Sequence, residues 1–172
     1  MKIFSTQKIP LTRILFFIYC FLIVWCTVFK MSFRFQDIAA LIGPRRFNLI
    51  PFYYACDISP LFHIREVLLN VLLFFPFGVY LKMLDTPCKK AFLYGASISL
   101  AIELCQLVFA LGTFDITDFI TNTAGTVIGI CFHVILIRCF KNRTAVNKIL
   151  RVLALTATLL MGLLILCLYF AS

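Results

Sequence analysis

The sequence predicts an all-α integral membrane protein, a bundle of about five transmembrane helices that forms a single domain over residues 1–172. Of the 172 residues, 63% are hydrophobic and 13% are charged, and the mean hydropathy is +1.04. A water-soluble domain of this size cannot bury so much apolar surface in one core, so the solvent around it must be lipid. The apolar runs predict spans at roughly residues 14–29, 67–84, 91–111, 116–137 and 152–170.

The first span is preceded by a polar stretch and is closed by Lys30. No small-x-small cleavage site follows it, so we expect an uncleaved first helix. The connection after it, residues 30–66, is the one long loop of the chain. Its segment FRFQDIAALI, residues 33–42, mixes charged and apolar side chains, which predicts a short helix in the membrane interface.

The later spans differ in their polar content. Pro76 lies inside the second span and predicts a kink, because proline removes a backbone hydrogen bond, and Gly78 follows two residues later. The third span carries Glu103 and Gln106, whose spacing of three residues places both on one helix face. The fifth span carries no charge and is predicted from hydropathy alone.

The basic residues predict the orientation. With a cytoplasmic N-terminus, eleven of the sixteen lysines and arginines fall in inside segments and five fall outside. The positive-inside rule therefore predicts an N-in/C-out protein whose long loop between helices 1 and 2 is extracytoplasmic. Because the basic residues lie at the ends of apolar runs, the net charge of +9 indicates topology and excludes a nucleic-acid-binding role.

The eight cysteines are scattered, mostly within apolar runs, and only Cys56 falls well inside a long loop. They form no CxxC pair and no Cys/His pair at zinc spacing. We interpret them as small packing residues and expect neither a metal site nor a cofactor.

The most informative stretch is GTFDITDFITNTAGTVIGI, residues 112–130. Its polar and small residues follow one another at steps of three and four, which places them on one helix face: Asp115, Asp118, Asn122, Gly125 and Gly129. The two glycines match the small-xxx-small pattern of closely packed membrane helices. We expect them to pack within the bundle, with homodimerisation as the second interpretation, and the oligomeric state stays open.

In the predicted orientation, the unusual polar residues of the membrane helices all fall at the outer side, whereas the inner halves are almost purely apolar. An ionised carboxylate in hydrocarbon costs roughly 2.5–3.5 kcal/mol, so the three acids need a partner, water or a proton. Two interpretations stay open, a set of polar pairs that holds the helices together and a ligand or reaction site. The candidate residues are Arg45, Arg46, Arg65, Asn70, Glu103, Gln106, Asp115, Asp118 and Asn122.

Four sequence elements resemble the VanZ-like family of membrane proteins, in order and spacing, over about residues 10–140. They are Asn48 to Phe52 (NLIPF), Asn70 to Gly78 (NVLLFFPFG), Glu103 with Gln106, and Asp115 through Asn122 to Gly129. The resemblance adds Asn48 to the candidate residues. It implies a multi-pass protein of the bacterial cell membrane that confers low-level resistance to teicoplanin-type lipoglycopeptides or has another cell-envelope role, without an established reaction.

The sequence is compatible with three functions. In the first, the outer-face site binds membrane lipid, a lipid-linked cell-wall precursor or a lipoglycopeptide. If it also catalyses a reaction, one of the three acids serves as a general base or binds a divalent cation, and an arginine holds a phosphate. The second is a transporter, which requires a continuous polar route to the cytoplasm. The third is a structural or partner-binding protein in which the acids pair internally.

Overall fold

A computed structural model describes residues 9–28, 42–53 and 60–171 of the chain. Most of the predicted interfacial helix at 33–42, and Cys56, lie outside the described residues. Within them the chain forms five helices and two short strands: α1 (Ile9–Val28), β1 (Arg46–Asn48), α2 (Pro60–Met83), α3 (Cys88–Val108), β2 (Thr113–Asp115), α4 (Ile116–Phe140) and α5 (Arg143–Ala171).

The helical membrane-protein class is confirmed. Four helices of the described part are long and apolar enough to cross a membrane: Leu11–Val28, Leu61–Met83, Cys88–Val108 and Ile116–Phe140. The membrane orientation and the side on which the long loop lies stay predictions.

Several helices begin earlier than the apolar runs do. Hydropathy marks only the apolar part of a helix, whereas the helix continues through polar residues as long as its backbone hydrogen bonds do. Thus α2 starts at Pro60, a residue suited to a first helical turn, ahead of the apolar span that begins near residue 67. The segment 138–151, between the fourth and fifth predicted spans, is mostly helical. Lys141 adopts a left-handed conformation (φ 51°) after α4, and the Asn142 side chain accepts a hydrogen bond from the Ala145 amide (3.0 Å) at the start of α5.

Helices α2 and α4 make the closest contact in the bundle. A Cβ atom at Gly125 would overlap the backbone oxygen of Val71, and one at Gly129 would overlap that of Phe75. From the other side, a Cβ at Gly78 would overlap the backbone oxygen of Thr126. Helix α2 continues through Pro76, which lies in this contact region. The absence of side chains lets the two backbones touch.

Large apolar side chains pack around this contact. The most deeply buried large side chains include Phe74, Phe77 and Ile23, each at most 2% exposed. Phe16 of α1 packs on the ring of Phe77 with 5.5 Å between ring centroids, and the Tyr19 hydroxyl donates a hydrogen bond to the backbone oxygen of Leu73. Helix α1 is thereby held against α2.

The two ends of the bundle differ in charge. At one end, α1 and α3 finish and α2 and α4 begin, and we call this the acidic end, defined by Asn48, Asn70, Glu103, Asp115 and Asp118. The opposite end, where α2 and α4 finish and α3 and α5 begin, is the basic end, defined by Lys82, Lys89, Lys90, Lys141 and Arg143. An ion pair between Arg143 and Asp85 connects α5 to the turn between α2 and α3.

The strands are an addition to the predicted all-α fold. β1 and β2 pair in parallel at the acidic end, with Arg46 opposite Thr113, Phe47 opposite Phe114 and Asn48 opposite Asp115. The backbone amide of Gly43 also donates to the carbonyl of Ala110 (2.9 Å). The long loop is therefore fastened to the turn between α3 and α4.

Candidate functional site

The strand pair places Asn48 beside Asp115. The Asn48 side-chain amide donates to one carboxylate oxygen of Asp115 (2.9 Å), and the other oxygen accepts from the backbone amide of Thr117 (2.7 Å). The second contact makes Asp115 the N-cap of α4, where a carboxylate satisfies a free amide and interacts favourably with the helix dipole. Asp115 thus precedes the helix, while Asp118 lies in its first turn.

The NLIPF segment folds as a compact turn on top of this cap. Asn48 donates to the carbonyl of Tyr53 (3.3 Å) and accepts from the amide of Ile50 (3.4 Å). The amide of Phe52 donates to the Thr117 hydroxyl (3.0 Å), and Phe52 adopts a left-handed conformation (φ 56°). One asparagine therefore organises the turn and joins it to Asp115.

Glu103 approaches the same point from α3. Its side chain is only 2% exposed, and a carboxylate oxygen accepts a hydrogen bond from the backbone amide of Asp115 (2.9 Å). The carboxylates of Asp115 and Asp118 both act electrostatically on Glu103, so the three acids form one cluster. One turn further along α3, Gln106 donates to the backbone carbonyl of Thr27 (3.0 Å) and connects the cluster to the end of α1.

Asn70 and Asp118 form the connection to α2. The Asn70 side-chain amide donates to a carboxylate oxygen of Asp118 (2.7 Å), and both residues are half-buried. Four separate segments of the chain thus supply polar side chains to the acidic end.

The polar stripe on α4 continues beyond Asp118 further than predicted. Asn122, Thr126 and His133 are all buried on α4, and His133 lies in the half nearer the basic end, which is therefore less apolar than predicted. Thr126 donates to the carbonyl of Asn122 within its own helix (3.2 Å), and His133 Nε2 lies 2.9 Å from Asn147 Oδ1 of α5. Sequence reasoning identified Asn122 but gave no partner for His133.

The three candidate arginines are not gathered into the cluster. Arg45 donates to the backbone carbonyl of Val108 (3.2 Å), and Arg46 and Arg65 are exposed. Within the described residues, neither Glu103 nor Asp115 has a cationic partner. Phosphate binding by these arginines stays a prediction.

The chemistry available at the acidic end is that of hydrogen-bond acceptors. It combines three carboxylates with the neutral amides of Asn48, Asn70, Gln106 and Asn122. Within the described ranges, no group of three or more His, Cys, Asp or Glu side chains is placed to hold a metal ion. Thr117 and Thr27 are participants that the sequence did not indicate.

Comparison with known proteins gives two matches. A family model described as VanZ/LLP1 matches residues 16–139. Protein VanZ from Enterococcus faecium is 32% identical over 122 residues, which is 70% of this chain and 71% of that protein. No solved structure matches the chain. The matched region contains every residue of the acidic end and stops before α5.

Proposed function

The chain belongs to the VanZ/LLP1 family and has the apolar helices of a membrane protein, and from this premise we propose that it acts on the bacterial cell envelope. In this proposal it is a multi-pass protein of the cell membrane with an N-in/C-out orientation. Its acidic end faces outward and contacts lipid-linked cell-wall precursors or lipidated antibiotics. The result is low-level resistance to teicoplanin-type lipoglycopeptides or another envelope function.

The observation that carries the proposal is the position of Glu103. A carboxylate that is almost fully buried near two further acids is costly in a membrane protein, and the described residues offer it only one backbone amide. Intramembrane polar residues of this kind are functional by default because stability alone does not favour them. The charge distribution supports an outward-facing acidic end, since most of the lysines and arginines fall in the segments at the opposite end.

A structural role is the second candidate, and one observation favours it. All three acids accept hydrogen bonds from the chain itself: Glu103 from Asp115, Asp115 from Asn48, and Asp118 from Asn70. Such bonds join α2, α3, α4 and the long loop. In this alternative the acids position the segments and contact no ligand.

Transport is the least favoured function. A transporter needs a polar route that reaches the other side of the membrane. Next to Asn122, the backbones of α2 and α4 touch at Gly125 and Gly129, so a side chain does not fit between them. The close helix contact occupies the space through which a route along this face of α4 would have to pass.

The test separates charge from structure. Glu103→Gln keeps an oxygen that accepts from the Asp115 amide but removes the charge, and Asp118→Asn does the same toward Asn70. Glu66→Gln is the matched control, because Glu66 lies on the same helix as Asn70 but pairs with His63 (3.7 Å) outside the cluster. Each variant is expressed in a glycopeptide-sensitive bacterium at equal membrane abundance.

We expect Glu103→Gln and Asp118→Asn to lose the survival advantage against teicoplanin while Glu66→Gln retains it, with a smaller effect against vancomycin throughout. Binding of labelled antibiotic to whole cells then shows whether the protein changes access to its target. Full resistance in both cluster variants would refute the site and leave the structural role.

A further inference from the structure

We propose that the acidic end binds the primary ammonium group of an amphiphile. The inference deepens the proposed function by naming the chemical class of the ligand, and it rests on that function in assuming that the acidic end meets the outer leaflet. It follows from an imbalance between hydrogen-bond acceptors and donors in the cluster.

Glu103 and Asp115 carry carboxylates without a lysine or arginine partner among the described residues. Their hydrogen-bond donors there are backbone amides and the neutral side chain of Asn48. Carboxylates in a site of low polarity are stabilised by a cationic donor far better than by a neutral amide. The cluster therefore favours a ligand that brings positive charge.

The neutral amides near the acids also point to a ligand. Two buried amide oxygens lack a hydrogen-bond partner, Oε1 of Gln106 and Oδ1 of Asn122. Gln106 is 8% exposed and Asn122 is 2% exposed, and each lies one helical turn from an acid of the cluster, on the same helix face. Buried polar atoms are almost always satisfied, so an orphan acceptor one turn from an acid of the cluster indicates that a donor comes from a bound molecule.

An ammonium group presents three N–H donors and one positive charge, so it supplies both a donor for an orphan acceptor and the missing charge. The described residues place no three metal-ligating side chains around a common point, so the arrangement fits an organic cation better than a metal ion. Asn48, Asn70 and Asp115 are only half-buried, so the polar groups of the cluster are partly exposed.

The cluster has an apolar border. The turn that Asn48 organises exposes large apolar side chains beside the cluster: Phe47 and Leu49 are each 65% exposed, and Ile50 and Phe52 are more than half exposed. The turn is held by the β1–β2 pair and by the bond from Phe52 to Thr117, so these side chains are presented in a fixed arrangement. A ligand with an ammonium group and an attached hydrocarbon part matches this combination.

Two sources can supply this chemistry, an ammonium-bearing phospholipid or a lipidated antibiotic with a free amine. The experiment uses the purified full chain in detergent micelles and measures the bound lipid by native mass spectrometry. The first probes are phosphatidylethanolamine and its singly, doubly and triply N-methylated forms with identical acyl chains, so that only the number of N–H donors changes. The second probes are teicoplanin and the same antibiotic with its amines acetylated.

We expect wild-type protein to bind phosphatidylethanolamine about tenfold more tightly than the triply methylated lipid, with intermediate values between them. If the antibiotic is the ligand, acetylation of its amines weakens its binding by a similar factor and the lipid series is flat. Glu103→Gln and Asn122→Leu remove the preference, and Glu66→Gln keeps it. Equal binding of all four lipids together with equal binding of free and acetylated antibiotic overturns the inference, and this result needs no variant.

The two proposals fail in different measurements. Loss of resistance in Glu103→Gln with no preference for free amines in wild-type protein leaves the envelope function standing and removes the ammonium site. A preference for free amines that Glu103→Gln abolishes, with resistance unchanged in the same variant, establishes the ammonium site and removes the link to resistance.

Discussion

Asn70 and Asp118 join two helices through a single side-chain hydrogen bond, and the two residue types can be exchanged between the helices by mutation. Its donor–acceptor distance is 2.7 Å, and both residues are half-buried. We expect Asn70→Asp to destabilise the protein by about 1–3 kcal/mol, because it places a second carboxylate against Asp118 and removes the donor. Adding Asp118→Asn restores a donor and an acceptor in the opposite order.

The measurement is a double-mutant cycle of thermal unfolding in detergent. A favourable coupling energy of roughly 0.5–2 kcal/mol between the two substitutions is expected, since polar contacts between membrane helices average about 0.6 kcal/mol. Strictly additive effects would show that the hydrogen bond contributes nothing to stability.

Asn48 is the residue on which the NLIPF turn depends. Its side chain contacts Asp115, Ile50 and Tyr53, so Asn48→Ala removes three hydrogen bonds from a segment of few other backbone contacts. We expect amide hydrogen exchange at residues 46–53 to accelerate by an order of magnitude or more, because about 1.4 kcal/mol of lost local stability corresponds to tenfold. Asn142→Ala, which removes a cap from α5 at the other end of the bundle, should leave exchange in this segment unchanged.

At the level of elements, the contact between α2 and α4 decides how the site is held. Gly129→Ala places a methyl group against the backbone oxygen of Phe75, which cannot move without shifting α2. Overpacking of this kind costs typically about 1–3 kcal/mol. Gly162→Ala is the matched control, because a Cβ there meets nothing within 4 Å and alanine favours the helix.

Thermal unfolding of the two variants in the same detergent provides the comparison. We expect a lower melting temperature for Gly129→Ala and an unchanged or slightly higher one for Gly162→Ala. Equal melting temperatures would mean that the helices separate freely at this point and that the glycines do not define the contact.

The same elements show what a sequence can and cannot predict. The helices followed from hydropathy because each apolar run has to satisfy its own backbone in lipid. The parallel pairing of Arg46–Asn48 with Thr113–Asp115 could not be predicted. Strands of three residues have no periodic pattern, and the two strands lie far apart in the chain. The depth of Glu103, Asp115 and Asp118 could be estimated from helix register. The partner of Asp115 could not, because Asn48 lies in a long loop that has no register.

The contacts of arginines at helix ends could not be predicted from the sequence either. Arg65 stands one residue before Glu66 in the first turns of α2, and sequence spacing alone does not tell which way an exposed side chain of that length points. The contact of Asn147 with His133 could not be predicted either, because Asn147 lies in a basic segment outside the apolar spans. In the structure α5 already begins at Arg143, so Asn147 is helical and its side chain lies beside His133.

For the whole molecule, the orientation in the membrane determines whether the acidic end can meet antibiotics at all. Lysine and arginine side chains concentrate at the basic end, and translocating them across the membrane is unfavourable, so we expect that end to stay in the cytoplasm. The chain offers a natural probe there in Cys88, which is exposed at the start of α3. A variant that keeps Cys88 and lacks the other seven cysteines reports on the basic end, and Leu49→Cys in the fully cysteine-free chain reports on the acidic end.

A membrane-impermeant maleimide added to intact cells should label residue 49 and leave Cys88 unlabelled, whereas both react after permeabilisation. A protease-cleavable tag after Ser172 tests α5 in the same cells, because a helix that crosses the membrane places this tag outside and one that lies on the inner surface keeps it inside. Labelling of Cys88 in intact cells would show that the orientation is the opposite of the predicted one. Glu103, Asp115 and Asp118 would then face the cytoplasm, where an antibiotic that acts outside the membrane cannot reach them.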